Sequence, residues 1–132
     1  MDYEALKLDA AAGCRGRCEA LSLGGRRSVV LKGVSLSPGT VGAACFDRET
    51  GRVSFVSAPL VPGQFHGTGD LFASVLTGAL VRGRSLAEAA ALAADFTARC
   101  VRRTREARRE GVDFEPLLWR LGQRMEESTC LS

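Results

Sequence analysis

The stretch His66-Gly67-Thr68-Gly69-Asp70 brings together residue types that could do chemistry. Its two glycines allow backbone conformations closed to other residues, and they let a ligand approach the main chain closely. Thr68 is a natural helix N-cap, and the helix that it opens would point unpaired N–H groups and a positive dipole end at whatever lies in front. The stretch therefore predicts an anion site.

Asp70 is the unusual member of such a site, because a carboxylate repels a phosphate that is merely bound. The carboxylate makes sense if it accepts the proton of a hydroxyl group that attacks the phosphate, while the amides stabilise charge on the transferred group. Phosphoryl transfer is the chemistry that this spacing favours. The alternative is a plain glycine turn before a capped helix, and the short match taken alone favours that structural interpretation.

The elements before this stretch are typical of an α/β protein. Residues 1–23 predict a weak helix that ends at the glycine pair 24–25. Residues 28–34 predict a buried strand, and residues 41–46 and 52–57 predict a β-hairpin.

Three helices are predicted after the hairpin. Apolar residues recur at helical spacing from Asp70 to Val81, and Ser85 begins a capping box that opens a long helix ending at Gly111. Asp113 is the expected N-cap of a last short helix. Residues 126–132 are expected to form a frayed tail.

Composition excludes several classes of function. The chain has 132 residues, 45% hydrophobic and 25% charged, which predicts one domain, and its net charge of +3 is too mild to argue for nucleic acid. With no secretory signal and no apolar run of the roughly 20 residues that a membrane span needs, we expect a cytoplasmic protein. The five cysteines lack zinc-ligand spacing, so they predict structural or free thiols and no metal site.

Residues 63–96, "GQFHGTGDLFASVLTGALVRGRSLAEAAALAADF", resemble the C-terminal signature of the pyridoxal (pyridoxine, pyridoxamine) kinases within the ribokinase-like superfamily. Threonine between the two glycines, Phe-His before them and Leu-Phe-Ala after the aspartate favour the vitamin B6 kinases over the sugar kinases. The similarity continues through "SVVLKGV", "CFDRETGRVSFVSAPLVPGQ" and "GVDFEPLL", and so covers roughly residues 26–121. The resemblance implies the C-terminal portion of a ribokinase-like three-layer fold, with a small sheet followed by three helices.

The resemblance also implies roles for the glycine stretch. Asp70 is similar in position to the catalytic base that takes the proton of the substrate's 5′-hydroxymethyl group. Gly67, Thr68 and Gly69, with the Asp70 amide, correspond to the anion hole for the γ-phosphate of ATP. Mg²⁺ would accompany ATP, and the acceptor would be pyridoxal or a related vitamer.

Four further residues are candidates for contacting the nucleotide. Lys32 and Gly33 match positions that lie along its phosphates, although a lysine at the end of a strand is as readily explained by solvation. Phe72 could help to wall the nucleotide, with core packing as the favoured alternative, and His66 could touch nucleotide or substrate. The resemblance implies no nucleic-acid or membrane partner and leaves a homodimer open.

The chain departs from the family in length, since family members are roughly twice as long. It resembles their nucleotide-binding half over residues 26–125, whereas residues 1–25 have no clear counterpart. We therefore expect weak or no activity from this chain alone. Two alternatives stay open: a hydroxymethylpyrimidine or other ribokinase-like kinase, although the former commonly carries cysteine where Asp70 stands, and a non-catalytic fragment or partner-dependent binding module.

Overall fold

A computed structural model describes residues 3–63, 65–107 and 111–129, with side chains from Ala10 to Glu126 within those ranges. Helix α1 (Tyr3–Leu21) leads to the strands β1 (Val29–Val34), β2 (Thr40–Asp47) and β3 (Arg52–Pro59). Three helices follow, with a 3₁₀ turn at Glu115–Leu117 before the last: α2 (Thr68–Val81), α3 (Leu86–Glu106) and α4 (Leu118–Thr129). The element order agrees with the α/β prediction.

The three strands form one antiparallel sheet in the order β1-β2-β3. Strands β2 and β3 are the predicted hairpin, and their register runs from Asp47 opposite Arg52 to Thr40 opposite Pro59. Strand β1 pairs with β2, and its register shifts between Lys32 and Val34. Among the described residues no strand pairs with the outer edge of β1, which leaves its backbone groups open to further pairing.

Helices cover both faces of the sheet and make three layers. Alternate residues of β2 point to opposite faces: Ala43 and Cys45 pack under α2 and α3, whereas Ala44 and Phe46 pack with Cys18 of α1. The small residues of α3 allow close contact with β2 and β3. This arrangement is the layered α/β architecture that the ribokinase-like resemblance implies.

Helix α2 is mainly apolar but is covered on one side only, and its outer side exposes the hydroxyl residues Ser74 and Thr77. Its sequence, TGDLFASVLTGALV, carries a single charged residue, Asp70. Phe72, Val75 and Ala79 are buried, whereas Leu80 and Val81 are exposed. The uncovered apolar surface of α2 is therefore concentrated at its C-terminal end.

The structure corrects four details of the helix ends that were predicted from the sequence. Gly67 rather than Thr68 is the N-cap of α2, and Thr68 is its first helical residue. The cap at Ser85 is confirmed, since its side chain accepts a hydrogen bond from the Glu88 amide at 3.2 Å. Helix α3 ends at Glu106, before the predicted end at Gly111.

The other two corrections concern the C-terminal region. Asp113 does not cap a helix. Instead its amide donates to the buried hydroxyl of Thr104 at 2.7 Å, and its carboxylate pairs with Arg103 at 3.3 Å. Residues 126–129, expected to fray, belong to α4, which reaches Thr129; the remainder of the predicted tail lies outside the described residues.

The described cysteines are free thiols, as predicted: Cys14 is half-buried, and Cys18, Cys45 and Cys100 are buried. Burial raises the pKa of the Cys45 thiol to about 11, with a smaller contribution from Cys18. Burial likewise raises the pKa of the Cys100 thiol to about 11, helped by the nearby Asp113 carboxylate. These thiols therefore stay protonated and unreactive at neutral pH. Cys130 lies outside the described residues.

Candidate functional site

The site is built on the turn that begins α2. Gly67 has φ 88°, in the left-handed region that favours glycine. Its carbonyl accepts the first hydrogen bond of the helix, from the Leu71 amide at 2.9 Å. The amides of Thr68, Gly69 and Asp70 precede that bond, so the helix itself does not use them. The Thr68 hydroxyl donates to the Phe65 carbonyl at 2.7 Å and thereby braces the turn instead of capping the helix.

Lys32 reaches this turn from the end of β1. Its Nζ lies 3.4 Å from the Gly69 carbonyl oxygen and 5.8 Å from the centre of the Phe72 ring, within the range of a cation–π contact. A Cβ on residue 69 would stand 3.1 Å from that Nζ, so glycine gives the ammonium group its room. Gly33, with φ 75°, forms a bulge directly after the lysine, and such bulges re-aim neighbouring side chains.

A cavity of about 380 Å³ opens beside Lys32. We call it the Lys32 cavity. Its polar end is formed by the lysine, Gly33, Thr68 and Gly69, and the side chain of Phe72 lies beside them. The rest of the wall comes from the end of β3, the segment that follows it, and one face of α3. The volume falls within the roughly 300–1,000 Å³ that small-molecule sites occupy.

Asp70 faces a different space. It lines a second cavity of about 630 Å³ with His66 and Gly67, and we call this the Asp70 cavity. Its remaining wall is mainly apolar and comes from α2, α3 and the region around α4. The Asp70 side chain is exposed in the first turn of α2, where its charge favours the helix dipole.

The turn therefore divides the predicted site residues between two spaces. The Lys32 cavity is lined by Lys32, Gly33, Thr68, Gly69 and Phe72. The Lys32 cavity and the Asp70 cavity share the start of α2 as a common boundary. His66, Gly67 and Asp70 line the Asp70 cavity. The backbone of His66 is also structural, because its carbonyl accepts a hydrogen bond from the Val112 amide at 3.0 Å.

The packing of Phe72 confirms the core interpretation and leaves its contact with the nucleotide as a prediction. Phe72 is a buried member of the core beneath α2 and α3, and it also lines the Lys32 cavity. A residue that is anchored in the core makes a rigid wall for a ligand site.

The α3 face of the Lys32 cavity was not predicted from the sequence. Ala94, Thr97, Ala98 and Val101 line it at i, i+3, i+4 and i+7 spacing. In the sequence, this face is visible only as Thr97 within a run of small residues on α3, next to the apolar residues that pack in the core. A stripe of small residues is ordinarily packing surface, so its role as a wall required the fold.

The described residues bring together no group of three histidine, cysteine, aspartate or glutamate side chains that could hold a metal ion. Mg²⁺ keeps several waters and binds through substrate phosphates with one or two carboxylates, so a nucleotide-borne Mg²⁺ does not need such a group. Within the same residues, no helix has both the length and the apolar character needed to cross a membrane.

Comparison with known proteins identifies the family. The model of the phosphomethylpyrimidine kinase family matches residues 4–113, a range that begins inside the segment for which the sequence alone suggested no counterpart. A search of curated proteins gave no match.

Solved structures agree in fold. One from Bacteroides thetaiotaomicron, assigned as a phosphomethylpyrimidine kinase, superposes with a TM-score of 0.78 at 30% identity over 85% of this chain and 40% of its own. A second crystal form of a phosphomethylpyrimidine kinase from that organism, which contains pyridoxal, superposes with a TM-score of 0.67. Its sequence is 26% identical over 88% of this chain and 41% of its own.

A pyridoxal kinase from Lactobacillus plantarum gives a TM-score of 0.67 at 32% identity, over 76% of this chain and 37% of its own. The chain thus spans about two fifths of the length of these ribokinase-like structures. With the family match over most of its residues and the layered fold around the glycine turn, the chain belongs to the phosphomethylpyrimidine kinase family.

Proposed function

We propose that this chain forms the nucleotide side of an ATP-dependent kinase that phosphorylates the 5′-hydroxymethyl group of pyridoxal, pyridoxine or pyridoxamine. The observation that carries the proposal is the division at the start of α2, where Lys32 lies on one side of the glycine turn and Asp70 on the other. A phosphoryl group must move between a donor and an acceptor. A turn of free amides between two cavities suits that transfer.

On the donor side, ATP occupies the Lys32 cavity. The Lys32 ammonium, 3.4 Å from the Gly69 carbonyl oxygen, neutralises charge on the phosphates, and Gly33 lets the chain bend beside them. The amides of Thr68, Gly69 and Asp70 hold the γ-phosphate at the helix N-terminus. Mg²⁺ would come with the nucleotide and would neutralise further charge on its phosphates.

On the acceptor side, the substrate hydroxyl approaches Asp70. Its proton passes to the carboxylate as its oxygen bonds to the γ-phosphorus. The bond from that phosphorus to the oxygen bridging to the β-phosphate breaks, and ADP leaves. His66 lines the same cavity as Asp70, which supports the proposal that it contacts the acceptor.

The choice of pyridoxal over a pyrimidine rests on the residues flanking the turn and on aspartate at position 70. Two relatives support it, since one is a pyridoxal kinase and another contains pyridoxal. A second candidate acceptor is hydroxymethylpyrimidine, and the description of the matching family favours it. ADP release measured by a coupled assay with each acceptor in turn, on a complete enzyme that contains this chain, separates the two.

Activity of the chain by itself is a separate matter. Because it spans about two fifths of the matched structures, and because α2 exposes apolar residues, we propose that the chain alone turns over weakly or not at all. The alternative of a partner-dependent binding module predicts the same result. Robust phosphorylation of pyridoxal by the purified 132-residue chain would contradict both.

A further inference from the structure

Thr104 lies in the last turn of α3 and is fully buried. Its hydroxyl group makes two hydrogen bonds. It donates to the Cys100 carbonyl at 2.7 Å, the bond that a helical threonine commonly makes to the carbonyl four residues earlier. It also accepts from the Asp113 amide at 2.7 Å. The second bond is not local, since it fastens residues 111–114, which we call the linking segment, to the end of α3.

The linking segment in turn contacts the chain just before the glycine turn. The Val112 amide donates to the His66 carbonyl at 3.0 Å. Val112 Cγ1 lies 3.4 Å from the position that a Cβ on Gly67 would take. Two consecutive amides of the linking segment thus bond to different elements: that of Val112 to His66, and that of Asp113 to Thr104. They connect the end of α3 with the start of α2.

The glycine turn has a physical need for such support. Gly67 has φ 88°, and glycine has more backbone conformations to choose from than any other residue. The amides of Thr68, Gly69 and Asp70 can act on one phosphate only if the backbone before them is fixed. A binding constellation works when its groups are held within about 0.5 Å of the productive geometry by the residues around them.

We infer that Thr104 is a positioning residue for the phosphate site at the start of α2. The inference rests on the proposed function. The Thr104 hydroxyl fixes the linking segment, and the linking segment fixes His66 and Gly67, so that the amides that follow point together at the transferred phosphate. Thr104 lines neither the Lys32 cavity nor the Asp70 cavity, so it acts through the linking segment and not by contact with a ligand.

The test uses Thr104→Val in the full 132-residue chain, because valine is also β-branched but lacks the hydroxyl. The substitution removes the acceptor of the Asp113 amide, so the variant should melt about 5 °C lower than the wild type. Titration calorimetry well below both melting temperatures measures the affinity of the folded chain for Mg-ATP and for inorganic tripolyphosphate. Both affinities should fall together, by about 3- to 10-fold. Thr104→Ser keeps the hydroxyl and should bind both probes as the wild type does.

Cys18→Ala is the control for a loss of stability alone. Cys18 is fully buried, and it packs with α1 on the opposite face of the sheet from α2 and α3. Removing its sulfur leaves a small cavity, which should lower the melting temperature without changing the affinity for either probe.

Val112→Ala is a second variant of the linking segment. It keeps the amide that bonds to His66 but loses the methyl groups beside Gly67. Val112 is half-buried, so this variant should fold readily, and both affinities should fall about 2- to 3-fold.

Three results would overturn the inference alone: a Thr104→Val chain that is less stable but binds both probes as tightly as the wild type, a Thr104→Ser chain that binds no better than Thr104→Val, or a Cys18→Ala chain that loses affinity together with stability. If Thr104→Val does not fold, wild-type affinity in Val112→Ala would overturn it. A wild-type chain that binds neither probe would overturn the inference together with the proposed phosphate site.

Discussion

Gly67 gives the sharpest test of the anion site, because a second glycine provides its control. Gly67 precedes α2 with φ 88°, and Gly83 follows the same helix with φ 89°. A Cβ at position 67 would meet only Val112 Cγ1 at 3.4 Å, and a Cβ at position 83 would meet nothing within 4 Å. Alanine at either position therefore carries nearly the same backbone strain and little steric clash.

The size of that strain sets the expected stability. A left-handed conformation costs a residue with a Cβ roughly 1–2 kcal/mol. Alanine also lowers the conformational entropy of the unfolded chain, which offsets part of that cost. We expect each variant to lose about 1 kcal/mol, which for a domain of this size lowers the melting temperature by roughly 4 °C. Urea unfolding followed by circular dichroism measures the difference directly.

Anion binding should separate the two variants. Gly67→Ala strains the turn that aims the amides of Thr68, Gly69 and Asp70, so ATP and tripolyphosphate affinity should each fall about tenfold, the loss of one hydrogen bond to a charged group. Gly83→Ala lies at the far end of α2 and should bind both probes normally. Equal affinities in the two variants would refute the anion site, and an undiminished stability of Gly67→Ala would refute the turn geometry.

Three further predictions follow from the site and the core. Asp70→Asn should leave ATP affinity within a few-fold of the wild type but abolish phosphoryl transfer in a complete enzyme, measured by ADP release; unchanged turnover would remove Asp70 from the role of base. Lys32→Met should weaken ATP and tripolyphosphate binding alike, by about tenfold, whereas an effect on ATP alone would contradict its contact with phosphate. Burial raises the pKa of the Cys45 and Cys100 thiols from 9.0 to about 11. The protonated thiols therefore contribute their full stability at pH values below the pKa of the unfolded chain, and this contribution is lost as the pH rises through the folded pKa of about 11. Ionisation of each thiol should lower the free energy of unfolding by roughly 2 kcal/mol by about pH 11. In Cys100→Ala, the free energy of unfolding should therefore fall less steeply with pH than in the wild type.

The sequence predicted the elements well because each carries its own periodic signal. The alternation in β2 and β3 and the apolar stripes of α2 and α3 are local patterns, and the structure reproduces them with shifts of a few residues. The errors lie at helix ends. Thr68 has the chemistry of an N-cap, but the left-handed Gly67 occupies that position, and the threonine hydroxyl finds the Phe65 carbonyl instead.

The arrangement of the site was less accessible from the sequence. His66 to Asp70 are consecutive, and nothing in their types indicates that a helix start would divide them between two cavities. The approach of Lys32 to Gly69 joins residues 37 positions apart, and the α3 wall of the Lys32 cavity depends on how α3 crosses the sheet. Such non-local contacts come from packing, which no single segment encodes.

Two surfaces are uncovered within the described part of the chain. The outer edge of β1 pairs with no described strand, and α2 carries exposed apolar residues at its C-terminal end. The Lys32 cavity, by contrast, is walled by the sheet, α3 and the start of α2 from this chain alone. We expect the remaining length of the solved relatives to cover β1 and α2 and to complete the acceptor pocket in front of Asp70. We therefore expect a chain that binds ATP through its own residues yet turns over weakly or not at all until that cover is supplied.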